Sequence, residues 1–128
     1  MSSSLLRQWE KRLKSILDKL DHLFEERHGA QYRLHPVRAK QGTTSNPASD
    51  GLFNITPKFT LGHGSKLGEG YVVDIHLSTL ESVSADFKKQ LENEAESFLQ
   101  QELLLEFGET LKVSHDTTGL KIHGDLSL

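Results

Sequence analysis

The sequence predicts an α+β two-layer sandwich, with a four-stranded antiparallel sheet carrying two helices on one face in the order α-β-β-α-β-β. Three observations lead there. Two long stretches, residues 4–28 and 84–107, repeat apolar residues at steps of three and four, the period of a helix with one buried stripe. Four shorter stretches alternate apolar and polar residues, the period of strands with one buried face. The strands fall into two hairpins separated by the second helix, which is a circular permutation of the ferredoxin-like β-α-β-β-α-β order. Carried over, that geometry lays the strands out as third, fourth, second, first.

The first helix carries Leu6, Trp9, Leu13, Ile16, Leu17, Leu20, Leu23 and Phe24 as its stripe, with a charged face opposite. Ser3 or Ser4 can cap its start, and Gly29 can end it. Arg27-His28-Gly29 is similar to the phosphohistidine tripeptide of histidine phosphatases. There it opens a loop after a strand in a larger α/β domain; here it closes an amphipathic helix, which rejects that reading.

Residues 30–51 form a long basic loop rich in turn formers: Gly42, Thr43, Thr44, Ser45, Asn46-Pro47 and Asp50-Gly51. A loop of that length is expected to be a mobile linker or a basic lid over one end of the sheet. The first strand, residues 52–61, contains Pro57, which cannot donate to a ladder and so belongs at a sheet edge. A glycine-rich connection, residues 62–70, follows; it lacks the Gly-Lys-Ser/Thr order of a P-loop. Residues 70–77, GYVVDIHL, alternate cleanly and are expected to be a central strand. In the second helix Phe87, Leu91, Ala95, Leu99 and Leu103 step by four, and Gly108 stops it. Residues 110–114 and 120–127 complete the sheet around a turn at residues 115–119.

The 128 residues suit one domain: a helix over 1–29, the loop over 30–51 and a β-β-α-β-β unit over 52–128. With no cysteine there is no disulfide, thiolate metal site or cysteine nucleophile. No apolar run has the length of a membrane span or signal peptide, so a soluble, cytoplasmic protein is expected. A net charge of −3 does not point to nucleic acid. Its distribution is uneven. Arg33, Arg38, Lys40, Lys58 and Lys66 make the middle basic, while Glu92, Glu94, Glu96, Glu102, Glu106 and Glu109 make the second helical region acidic. These are expected to be ordinary solvated faces; the sharper alternative is that the basic middle docks on the acidic segment, in the same chain or a second copy.

Two groups of residues are candidates for a site. On the face away from the helices, Asp74 and His76 are expected beside His123 and Asp125, a set of imidazoles and carboxylates that suits a divalent metal. No other cofactor is expected. His63, Ser65 and Lys66 in the glycine loop, with Arg33 and Arg38, could hold an anion. No catalytic motif is present. The expected role is a non-catalytic interaction or assembly domain whose partner is protein. A homodimer is expected, because Leu103, Leu104, Leu105 and Phe107 cannot all face one core. The alternatives are a module binding an anionic or phosphorylated ligand or nucleic acid on the open sheet, and a small metal enzyme built on Asp74, His76, His123 and Asp125. Nucleic acid is the weaker of the ligands, since the open face lacks aromatics for stacking.

Overall fold

The computed structural model describes residues 3–62, 67–116 and 119–124, with side chains from Arg7 onward. Along the chain come α1 (Ser3–His28), a 3-10 turn (Pro47–Ser49), β1 (Phe53–Thr60), β2 (Gly70–Leu77), α2 (Ala85–Phe107), a second 3-10 turn (Gly108–Thr110), β3 (Leu111–Asp116) and β4 (Gly119–Gly124). The four strands form one antiparallel sheet in the order β1-β2-β4-β3. The class is the α+β one expected, and β2 and β4, expected as central neighbours, are hydrogen-bonded to each other.

Alternation dictates which face is buried. Phe53 and Ile55 of β1, Val73 and Leu77 of β2, Leu120 and Ile122 of β4 and Leu111 and Val113 of β3 share one side of the sheet through the registers Ile55↔Ile75, Tyr71↔Ile122 and Val113↔Ile122. They join one core cluster with the α1 stripe from Trp9 to Phe24 and the α2 stripe Phe87, Leu91, Ala95, Leu99 and Leu103. Both helices therefore cover the same face. Ser84 caps α2 by accepting the Phe87 N–H at 3.1 Å, and Gly108 ends it at positive φ.

Several expectations need correction. β3 and β4 reach further into the turn than their sequence suggests, pairing as far as Asp116↔Gly119, so His115 and Asp116 are strand rather than turn. Leu126, expected in the core, lies outside the described residues. Among the described residues the acidic α2 is met within the chain by α1 rather than by the basic middle: Arg12 pairs with Glu106 at 2.9 Å, and Arg27 and His28 both reach Glu94, at 3.3 and 3.1 Å. The helices are already adjacent in the core, so their own side chains arrive first. His28 thus serves as a helix-to-helix contact. Of the apolar run at the end of α2, Leu103 is buried and Phe107 packs edge-on against Trp9 at 4.9 Å, leaving Leu104 and Leu105 outside.

The loop after α1 is folded onto the molecule rather than strung out as a linker. Ala39 forms a parallel bridge to Asp50, Asn46 caps the first 3-10 turn, and Thr44 donates to Asp50 Oδ2 at 2.7 Å.

Candidate functional site

The face away from the helices is where sequence reasoning put the chemistry. Register decides what meets there. Lys58 and Asp74 pair diagonally at 3.5 Å, both exposed. His123 stands opposite Gly70, whereas Asp74 and His76 lie four and six residues further along β2. At about 3.4 Å per residue that separates His123 from His76 by roughly 20 Å. Asp125 lies outside the described residues. The metal set is therefore not assembled by the described residues, among which no group of three or more His, Asp or Glu converges on a point. Period two reads the face correctly and says nothing of position along it.

His76 instead lines a shallow recess with His35, Arg38 and Thr79. His123 sits by Ser114 Oγ at 2.9 Å, and its pKa is held below the usual imidazole range by burial, then by the Lys121 and Lys112 charges, against a smaller pull from Asp116. Lys121 is not available to a ligand. It is 1% exposed, donates to the Gly68 carbonyl and lies 3.5 Å from Asp116 Oδ2.

The anion set fares differently. His63, Ser65 and Lys66 lie outside the described residues. Arg33 is exposed, and its main-chain N–H donates to Glu81 Oε2 at 2.6 Å. Arg38 has a structural task. Its guanidinium donates to the carbonyls of Ala48 (2.7 Å), Gly51 (3.0 Å), Asp50 (3.1 Å) and Phe53 (3.3 Å). With Nε and Nη2 on main-chain carbonyls, it latches the loop to the start of β1.

That latch belongs to a buried charged cluster that sequence reasoning missed. Asp21 and Glu25, one helical turn apart on α1, are both buried, as is Asp50 from the loop. Glu25 Oε1 accepts the Phe53 N–H at 2.8 Å. Gly51, at φ 71°, lies so close to the Glu25 carboxylate that a side chain there would collide with it. Asp21 Oδ2 has no hydrogen-bond partner among the described residues. Burial first, then the charges of Glu25, Asp18 and Asp50, push the Asp21 pKa up to about 8, with Arg38 opposing. Burial also raises Glu25, against hydrogen bonds from the Phe53 and Leu52 amides. Burial works against the charge of Asp50 too, but hydrogen bonds from Thr44 and Gly42 and the Arg38 charge outweigh it and leave its pKa lowered.

The cluster closes one half of an edge. Ser78 N–H donates to Leu52 O at 2.7 Å, so even-numbered β1 residues bond to β2 and odd-numbered ones turn their backbone outward. Glu25 and Arg38 take up the outward N–H and C=O of Phe53. Further along, Pro57 has no N–H to leave unpaired.

Beside this second half lies a groove of about 610 Å³ between α1 and β1. Leu13, Leu17, Ile55, Pro57, Phe59 and Tyr71 supply its apolar surface. Arg7, Lys11 and Lys14, spaced along one face of α1, form a basic rim interrupted by Glu10. Asn46 and Ala48 from the latched loop make the other wall, and Lys14 Nζ reaches Asn46 Oδ1 at 2.8 Å. Phe59 remains 54% exposed although it alternates in phase with the core. The one sequence signal for this site was Arg7, Lys11 and Lys14 at helical spacing, which has meaning only once β1 is known to run beside α1.

A search of the curated proteins finds similarity to an uncharacterized protein of Borreliella burgdorferi, 37% identical over 87 residues, which is 68% of this chain and 68% of that one. No solved structure matches. A family described as "Uncharacterised protein" matches residues 4–124, taking in both helices and all four strands, and the chain belongs to that family.

Proposed function

We propose that the chain is a non-catalytic interaction domain and that the α1–β1 groove is its contact surface. The observation that carries this reading is a concavity of about 610 Å³ with an apolar floor, flanked by the half-exposed Phe59 ring. Apolar concavities of a few hundred cubic ångströms with few polar groups are the usual form of a binding site. Pro57 argues against a partner that adds a strand to β1, since the outward edge lacks a donor there. The partner is received through side chains. The absence of cysteine suits a reducing cytoplasm, where we place the protein.

A neutral apolar dye, Nile red, tests the reading. The wild-type chain, diluted until sedimentation shows it monomeric, is expected to bind it with a blue-shifted emission. Ala48→Phe, which fills the groove from its loop wall, is expected to abolish that signal while circular dichroism stays unchanged. A folded, monomeric chain that leaves the dye dark overturns the groove as a binding surface.

A further inference from the structure

We propose that the occupant of the α1–β1 groove is the end of α2 from a second copy, in a two-fold dimer where each chain both offers and receives it. The inference rests on the groove being a contact surface and names what fills it.

Two surface features are complementary. The groove is apolar with a basic rim: Lys14 is paired with Asp18 at 3.1 Å, and Arg7 and Lys11 flank the single acid Glu10. The end of α2 is an apolar ridge with acidic flanks. Leu104 is 49% exposed and Leu105 78% exposed. Glu102 precedes Leu105 by three residues, and Glu109 follows it by four. No basic residue occupies the last turn of α2. Among the described residues no buried contact takes up this leucine pair, because Leu103 and Phe107 already fill the core side of the same helix end.

Placement supports reciprocity. The start of α1 and the end of α2 are joined at one end of the molecule, with Arg12 on Glu106 at 2.9 Å and its guanidinium 4.2 Å over the Phe107 ring. Ridge and groove thus flank the same few turns of α1. A two-fold axis near that end can satisfy both contacts at once and close the assembly at two copies. One-way insertion would instead propagate into polymers.

Sedimentation equilibrium of the full chain tests this. Wild type is expected to be dimeric at about 100 µM. Leu105→Asp, at a solvent-exposed site, and Lys11→Glu are each expected to raise the dissociation constant at least about tenfold. Combining Lys11→Glu with Glu102→Lys and Glu109→Lys is expected to restore the dimer. A dimer that neither single substitution weakens, or open-ended polymers from wild type, overturns the proposal. So does a monomeric wild type. If that monomer still binds Nile red, the groove reading survives and only self-docking falls; if it does not, both fall.

Discussion

The outer edge of β1 is two different surfaces on one strand. Around Phe53 it is closed by charge: Glu25 takes the amide, Arg38 takes the carbonyl, and Asp21 and Asp50 stand buried behind them. Around Phe59 it is left bare, apolar and half exposed, with Pro57 as its guard. The first half solves the unpaired backbone of an edge strand by importing side chains from a helix and a loop. The second removes a donor instead and remains accessible. Expensive buried charge is spent on the half that must stay shut, and the half that stays open is the one with a groove beside it.

The sharpest way to break this contrast is at Arg38. Arg38→Ala strands four main-chain carbonyls and leaves the three buried carboxyls without their cation. The expected loss is about 3–5 kcal/mol in urea unfolding. A loss below about 1 kcal/mol would mean the loop is held by something else.

A smaller effect, of opposite sign, is expected at Asp21. Its folded pKa of about 8 lies above the ordinary 3.8, so between those values the folded chain keeps a proton that the unfolded chain releases. Stability therefore drains away as pH rises from about 4 to about 8 and levels off beyond. Glu25, also raised, adds to the fall, while the lowered Asp50 favours the folded state above its own range. Asp21→Asn is expected to stabilise the protein by about 1–3 kcal/mol near pH 9 and to change little near pH 5, where the native group is protonated. Thermal melts across that range check it; a gain independent of pH would assign the effect to packing.

The smallest stability effect is expected in the open half. Phe59→Ser is expected to shift unfolding by less than about 0.5 kcal/mol. The same substitution is expected to weaken self-association several-fold by sedimentation. A large loss of stability would place Phe59 in the core and erase the distinction between the two halves.

Much of this architecture is legible in the sequence because it is periodic. Trp9 to Phe24 and Phe87 to Leu103 mark their helices by repetition, and Pro57 announces an edge before any sheet is drawn. What is not periodic stays hidden. Asp21 and Glu25 each follow a core residue, Leu20 and Phe24, and read as the rim of a solvated face. Their burial depends on Arg38 and Asp50, brought over them by a loop whose fold is set by Asn46, Thr44 and Gly51. The described members of the expected metal set lie apart for a related reason. The faces of Asp74, His76 and His123 were right, but the pairing Tyr71↔Ile122 sends His123 to the far end of β2. A stagger between strands is settled by contacts such as the close approach of Gly70 to the Ile122 carbonyl, which no single strand encodes.

Trp9 gives the molecule a built-in optical gauge. It is the chain's single tryptophan, nearly sealed from solvent, with the Tyr71 ring edge-on at 5.8 Å and Phe107 at 4.9 Å. α1, α2 and the central strand β2 each contribute one ring to that stack. Emission excited at the indole therefore reads whether both helices are seated on the sheet, while far-ultraviolet dichroism reads only whether they are wound. Comparing the two signals separates undocking from unwinding without a label, and because Tyr71 also lines the groove, the same light responds when the groove is filled.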